Sequence, residues 1–212
     1  MRSQVGVRTL TPTHELYYSK ILGMYNLLLA THRKQMDQSE LDEKLGAAFD
    51  SYFQVSDSLK RDLTFMLDVR DDSMEWKRNY LRSAIPLIEW YCSSFRDVAK
   101  VYLETGGPLH KKQKNAILDE KGHSADERIK LNIKAAHTVL LDGETNTGFD
   151  DANWDNARTA IEKRGAVMHP QSPRDLEFSE GDWEKIESGI TWLTEQVFGI
   201  YYELHKRVTK GS

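Results

Sequence analysis

The sequence predicts an all-α fold, in which a helical bundle follows an N-terminal helical hairpin extension. Two patterns carry this prediction. Apolar residues recur at steps of three and four along most of the chain, and residues that cap helices stand just before several of these stripes. With 212 residues, 39% of them hydrophobic, and with Trp 5, Tyr 9 and Phe 7, the chain can bury a substantial core. We therefore expect a folded protein rather than a disordered one.

Residues 1–70 are predicted to form the hairpin extension. Its first helix begins at Thr11-Pro12, where Thr is the N-cap and Pro takes the first helical position, which needs no N–H. Its second helix begins at Ser39, and apolar residues hold one face of it for about seven turns, as far as Met66. We expect a polar turn near residues 36–38 to join the two helices.

Residues 71–212 are predicted to form the bundle. A helix is expected from about Asp72 to Glu104, because an apolar stripe runs along it and Gly106-Gly107-Pro108 follows. The basic stretch after it, around residues 111–114, is predicted to be less regular. The sequence Ser124-Ala-Asp-Glu127 is a capping box and opens the next helix.

The C-terminal part of the bundle is predicted to contain two helices. Residues 142–151 are rich in Gly, Asp, Thr and Asn and are expected to form a loop. A short helix follows from about Asn153 to Met168. Ser179 caps the final helix, whose apolar residues form the narrow seam that is typical of helices packed against helices.

The charge and cysteine content narrow the possible functions. The formal net charge of −4 argues against nonspecific coating of nucleic acid, although a local basic site remains compatible with it. The single cysteine, Cys92, excludes an internal disulfide framework and a Cys-based zinc finger, and it is expected to be a buried, inert thiol. No apolar run has the length of a membrane helix, and the N-terminal residues lack the apolar core of a signal peptide. We expect a cytoplasmic protein.

The common catalytic signatures are absent from the sequence. It contains no G-x-S-x-G, no phosphate-cradling glycine loop and no H-E-x-x-H, and its histidines are not paired at metal-ligand spacing. Neither a metal nor a cofactor is therefore expected.

One short segment combines residue types that are suited to phosphate chemistry. Arg164 and His169 stand five positions apart at the predicted end of a helix, and Pro170 disfavours helical backbone at His169. Positions five apart on a continuous helix differ by about 140° in direction. Ending the helix at this point lets His169 swing towards the side on which Arg164 projects.

Further basic residues bracket this corner and make it locally basic in an acidic chain: Arg158, Lys163 and Arg174. A phosphodiester could bind there. A simpler interpretation of the spacing is that Arg164 is solvated and that His169 caps the carbonyl groups at the end of its helix. Spacing alone leaves both interpretations open.

This segment also resembles a known family signature. The order Arg-x4-His before Pro170, a short polar link and an amphipathic final helix is similar to the signature of HEPN domains. The segment Tyr80-Leu-Arg-Ser-Ala-Ile-Pro-Leu-Ile-Glu89-Trp-Tyr resembles the HEPN helix that carries small residues and then an acid. The resemblance covers about residues 72–208, and it implies a HEPN-like helical bundle that dimerises, so that two Arg/His pairs line one cleft.

The resemblance implies an activity. Many HEPN domains are metal-independent endoribonucleases of toxin–antitoxin, abortive-infection or CRISPR-linked antiviral-defence systems, and others are inactive binding modules. For this chain it implies that Arg164 holds the scissile phosphate and that His169 acts as general acid or base. The products would be a 2′,3′-cyclic phosphate and a 5′-hydroxyl.

The resemblance also implies supporting residues and partners. Glu89 and Arg82 would orient the Arg/His pair from the neighbouring helix, and Glu89, if buried, would need a cation such as Arg164 as its partner. Arg82 and three further basic residues would help to bind RNA: Lys163, Arg158 and Arg174. The expected partners are an RNA substrate, a second copy of the chain and an antitoxin or defence partner protein, with no membrane.

Two positions depart from the family pattern and leave other functions open. Gly165 stands where many members have Asn, Asp or His, and Gln171 stands where some toxins carry a tyrosine that a nucleotidyltransferase antitoxin modifies. One alternative is a non-catalytic HEPN-like module that binds a partner protein or a nucleotide. Another is a helical adaptor in which Arg164 and His169 are unrelated surface residues.

Overall fold

The computed structural model describes residues 55–118, 122–141, 148–149 and 151–210, and all regular structure in this part of the chain is helical. The predicted first helix, the hairpin turn and most of the predicted loop at 142–151 lie outside the described residues. The all-α prediction is confirmed for the residues described.

The described residues form six α-helices and one short 3-10 helix. In chain order they are α1 (residues 55–68), α2 (Met74–Glu104), α3 (Lys111–Leu118), α4 (Ala125–Leu140), α5 (Ala152–Met168), the 3-10 helix (Pro173–Leu176) and α6 (Glu180–Lys210).

The helix starts predicted at Ser124 and Ser179 are confirmed, whereas those predicted at Thr11 and Ser39 lie outside the described residues. The Ser124 hydroxyl accepts a hydrogen bond from the Glu127 N–H at 3.4 Å, and the Ser179 hydroxyl accepts one from the Asp182 N–H at 3.2 Å. Each bond satisfies one of the N–H groups that have no partner in the first turn of a helix.

The prediction of a less regular stretch around residues 111–114 is wrong, because these residues begin α3. The helix has only eight residues, and its buried apolar residues are Ala116 and Ile117. Two apolar positions are too few to show a helical period, so packing against α4 rather than a sequence pattern determines this element.

Helix α2 lies at the centre of the bundle, in contact with α3, α4, α5 and α6. Its predicted apolar stripe is buried along the whole length, from Leu81 at 0% exposure to Tyr102 at 5%. The helix is continuous through Pro86. Because α2 touches four other helices, polar residues beside its stripe lie where several helices meet.

Helix α1 also packs on the bundle. The indole N–H of Trp76 donates a hydrogen bond to the Met66 carbonyl at 2.6 Å, and Arg70 and Glu187 form an ion pair at 2.7 Å. Leu59 and Leu63 are partly buried against the core. The division of the chain at residue 70 stays a prediction, since residues 1–54 lie outside the described part.

Helices α5 and α6 form the most extensive contact in the described bundle, and they approach closely at Gly189. A Cβ atom at Gly189 would overlap the backbone of Asn156 and Ala157. Ala157 and Ala160 on α5 are completely buried. Small side chains on both helices therefore set the spacing between them.

Replacing Gly189 by Ala is expected to lower the free energy of unfolding by about 1–3 kcal/mol, because the added methyl group overlaps rigid backbone. Gly199→Ala is the matched control on the same helix, since a Cβ there meets nothing within 4 Å. It is expected to raise stability by up to about 1 kcal/mol through helix propensity. Urea unfolding followed by circular dichroism measures both, and equal effects would contradict the close contact.

Candidate functional site

Glu89 on α2 and Arg164 on α5 form an ion pair in which Glu89 Oε2 lies 3.5 Å from Arg164 Nη2. The two side chains are 32% and 28% exposed, so solvent screens the pair only in part. The sequence named Arg164 as the partner of a buried Glu89; the structure places the two side chains together although Glu89 is only partly buried, and the pair joins the two helices that carry the candidate residues.

The ion pair lies in the wall of a polar pocket of about 410 Å³ between α2, α4 and α5. The guanidinium groups of Arg96, Arg128 and Arg164 line this pocket, and the Glu89 carboxylate is the one acidic group in its lining. The remaining lining residues are Cys92, Ser93, Ala125, Ile129 and Asn132. The pocket thus concentrates positive charge in a protein of net negative charge.

In the lining, Arg164 Nε and Asn132 Oδ1 are buried without a hydrogen-bond partner among the described residues. A buried donor or acceptor that lacks a partner is unfavourable by about 1–3 kcal/mol. One atom offers a hydrogen bond and the other accepts one, so the pocket is suited to an anion that also carries a donor group.

Cys92 lies beside the pocket but is not a candidate nucleophile. It is 2% exposed, and burial, with a smaller contribution from the charge of Glu89, raises the pKa of its thiol well above the ordinary value. A thiol that stays protonated at neutral pH is unreactive. The prediction of a buried, inert thiol is confirmed.

His169 is exposed at the C-terminal end of α5 and does not line the Arg164 pocket. Its backbone N–H donates a hydrogen bond to the Gly165 carbonyl at 3.0 Å, which ends the helix at this residue as predicted. Arg82 of α2 donates to the Val167 carbonyl at 3.2 Å. Arg82 therefore contacts the last turn of the helix that carries His169, rather than Arg164 itself.

The chain after His169 is held by Asp175. One carboxylate oxygen of Asp175 accepts hydrogen bonds from the backbone N–H groups of Gln171 and Ser172, each at 2.8 Å. These bonds from Gln171 and Ser172 lower the pKa of Asp175 below its ordinary value. The turn that leads away from His169 is thus fixed by a carboxylate.

The other basic residues predicted near Arg164 divide between two places. Lys163 and Arg174 lie together, because the Lys163 ammonium group is 3.5 Å from the Arg174 carbonyl oxygen and 4.9 Å from the Phe178 ring centre. Arg158 lines a separate cleft and pairs with Asp126 at 3.2 Å. The structure therefore does not bring Arg158 to the Arg164 pocket, since position 158 projects from another side of α5.

Sequence reasoning missed three pocket residues: Arg96, Arg128 and Asn132. A weak signal was present, because Glu89, Ser93 and Arg96 follow the i, i+4, i+7 spacing of one helix face, and Arg128 and Asn132 are four apart on α4. Such spacing is also that of an ordinary solvated helix face. Only the packing of α4 against α2 distinguishes the two.

The described residues contain neither a metal-binding cluster nor a membrane-spanning helix. No cluster of three His, Cys, Asp or Glu side chains with the arrangement of a metal site occurs among them. No helix in this part of the chain has both the length and the apolar character required to cross a membrane.

The comparisons with known proteins give no relative. No family model matches the chain, and neither the curated proteins nor the solved structures include a significant match. Any function must therefore be argued from the residues themselves.

The Glu89–Arg164 pair is expected to show a coupling free energy of about 0.5–1 kcal/mol in a double-mutant cycle of Glu89→Ala and Arg164→Ala, because it is partly shielded from water. The Asp97–Lys100 pair, with side chains 45% and 37% exposed, is the control and is expected to couple more weakly. Urea unfolding of the four proteins in each cycle measures both. A coupling near zero for Glu89 and Arg164 would contradict the observed pairing.

The turn after His169 is expected to lose its order in acid. The pKa of Asp175 in the folded protein is lower than the ordinary value of 3.8. At a pH above 3.8 the carboxylate is therefore ionised and accepts the hydrogen bonds from the Gln171 and Ser172 amides, and these bonds are lost as the pH falls through the lowered pKa. An NMR titration should move both amide signals with a midpoint below 3.8. In Asp175→Asn neither signal should titrate there, and a midpoint at or above 3.8 in the parent would contradict the capping role.

Proposed function

We propose that this chain is a metal-independent endoribonuclease of the HEPN type that acts as a toxin or an antiviral-defence effector. The observation that supports the proposal best is the Glu89–Arg164 pair at the wall of a basic pocket, with His169 five residues further on at the exposed end of the same helix. These residue types and their order are similar to those of HEPN domains.

Arg164 has the role of binding the scissile phosphate. A guanidinium group offers a planar fork of five N–H donors, and Glu89 engages only the Nη2 atom. The buried Nε has no acceptor among the described residues, so it can donate to a phosphate oxygen without breaking an existing bond. Glu89 limits the rotation of Arg164 and is a positioning residue.

His169 has the role of moving the proton. An imidazole can accept a proton from the ribose 2′-hydroxyl near neutral pH. The 2′-oxygen then attacks the adjacent phosphorus, the bond to the 5′-oxygen breaks, and that oxygen takes up a proton from an imidazolium. The products are a 2′,3′-cyclic phosphate and a 5′-hydroxyl, and no metal is required because the nucleophile is already next to the phosphorus.

A second copy of the chain completes the site in this proposal. His169 lies outside the pocket that Arg164 lines in one chain, whereas a symmetric dimer in which the C-terminal ends of α5 face each other would place two Arg/His pairs along one cleft. One imidazole can then act as base while the other acts as acid.

The proposal predicts that the purified protein cleaves a mixed structured RNA in the presence of EDTA and leaves 5′-hydroxyl ends. His169→Ala and Arg164→Ala should each lower the cleavage rate by at least about 100-fold while leaving the circular dichroism spectrum unchanged. Gel analysis of the fragments, with kinase and phosphatase treatment of their ends, measures rate and end chemistry.

Two matched variants serve as controls, His110→Ala and Arg61→Ala, since both residues are exposed and lie outside the pocket. Both should cleave like the parent. Cleavage by His169→Ala at the parental rate would overturn the catalytic assignment.

A non-catalytic module that binds a partner protein or a nucleotide is the second candidate. The position of His169 favours it, because within one chain this residue does not line the Arg164 pocket. Absence of cleavage by the parent protein, together with a monomeric state in sedimentation, would favour this function over the ribonuclease.

A further inference from the structure

We propose that the pocket between α2, α4 and α5 seats one nucleotide of the RNA substrate. Its phosphate would lie on the guanidinium groups of Arg96, Arg128 and Arg164, and a donor group of its sugar or base would lie on Asn132. This inference rests on the proposed ribonuclease function and adds to it the residues that hold the substrate.

The first observation that points to a ligand is that the Arg128 guanidinium group is not engaged by other described residues. Arg128 lines the pocket, and its guanidinium group makes no hydrogen bond or ion pair with the residues that the structure describes. Arg96 donates to the Ser93 hydroxyl at 3.2 Å and is 18% exposed, so its group is held at the pocket wall. With Arg164 they place three cations near two carboxylates, Glu89 and the Asp97 that lies 4.0 Å from Arg96, which leaves one net positive charge for an anion.

The second, independent observation is a buried oxygen atom of Asn132 that has no hydrogen-bond donor among the described residues. The Asn132 side chain lines the pocket and is 6% exposed, and its Oδ1 atom accepts no hydrogen bond from the described residues. An inorganic anion without protons cannot satisfy this oxygen, whereas a ribose hydroxyl or a base amino group can. The ligand therefore needs a donor beside its anionic group.

The size and charge of the pocket agree with a single nucleotide. Its volume of about 410 Å³ falls in the range typical of small-molecule pockets, roughly 300–1,000 Å³. The three arginines, with Glu89 beside Arg164 and Asp97 4.0 Å from Arg96, leave one net positive charge, which matches the single negative charge of an RNA phosphodiester. A nucleoside monophosphate carries the phosphate, sugar and base of one such nucleotide and is the probe.

The test is calorimetric titration of the full chain with AMP, CMP, GMP and UMP in turn, and separately with inorganic sulfate, which carries no proton at neutral pH. At least one nucleotide is expected to bind more tightly than sulfate. Arg128→Ala should weaken nucleotide and sulfate binding by about tenfold. Asn132→Ala should weaken nucleotide binding by about fivefold and leave sulfate binding unchanged, because it removes only the acceptor for the donor group.

The exposed Arg61→Ala is the matched control for loss of an arginine and should bind like the parent. If the buried Asn132 variant does not fold, the Arg128 variant still decides the phosphate half of the site, and Asn132→Ser replaces the first variant. The proposal is overturned if no nucleotide binds at millimolar concentration, if Arg128→Ala binds like the parent, or if nucleotides bind no more tightly than sulfate.

The titration distinguishes this inference from the ribonuclease proposal. Nucleotide binding that depends on Arg128 in a protein that cleaves no RNA would uphold the pocket and reject the enzyme. Cleavage that depends on His169, with a KM unchanged in Arg128→Ala and Asn132→Ala, would uphold the enzyme and reject the pocket as its nucleotide site.

Discussion

The close contact of α5 with α6 at Gly189 is the constraint on which the candidate site depends. Because no side chain separates the two helices at this point, α5 lies against α6 on one side and turns another side towards α2 and α4. Arg164 projects from that second side into the pocket. A larger spacing between α5 and α6 would move Arg164 relative to Glu89, which is fixed on the central helix.

The electrostatics of the pocket follow from this packing. Helices α2, α4 and α5 each contribute at least one charged side chain to the pocket. On α2 these side chains lie next to the buried apolar stripe. Positive groups held close together repel one another, so such a site is maintained by a counter-charge, here Glu89, and by the stability of the surrounding core. A bound anion would relieve the same repulsion, which links folding energetics to ligand binding.

The end of α5 is determined both by local sequence and by contacts from other parts of the chain. Pro170 and Pro173 break the helical pattern locally, and the structure ends the helix at His169, as the sequence predicts. The contacts that hold this end come from elsewhere: Arg82 from α2 and the Asp175 carboxylate from the next turn. The backbone around His169 is therefore held both by a distant helix, through Arg82, and by the turn that follows.

Much of the fold could be predicted from the sequence, because helix periodicity and capping are local properties. The apolar stripe of α2 and the starts at Ser124 and Ser179 are examples, whereas α3 was missed because its helix depends on packing rather than on a pattern. The candidate site was predictable only where a charge needed a partner, as for Glu89 with Arg164.

The sequence by itself determined the all-helical class of the described residues, the helix starts at Ser124 and Ser179 and the end of α5 at His169, since each depends on residues within a few positions of one another. The tertiary structure alone decided that Arg96, Arg128 and Asn132 share a pocket with Arg164, and that Arg158 belongs to a different cleft. The reason is physical: the side on which a helical residue is buried is local information, but the neighbour it meets there depends on how whole helices pack.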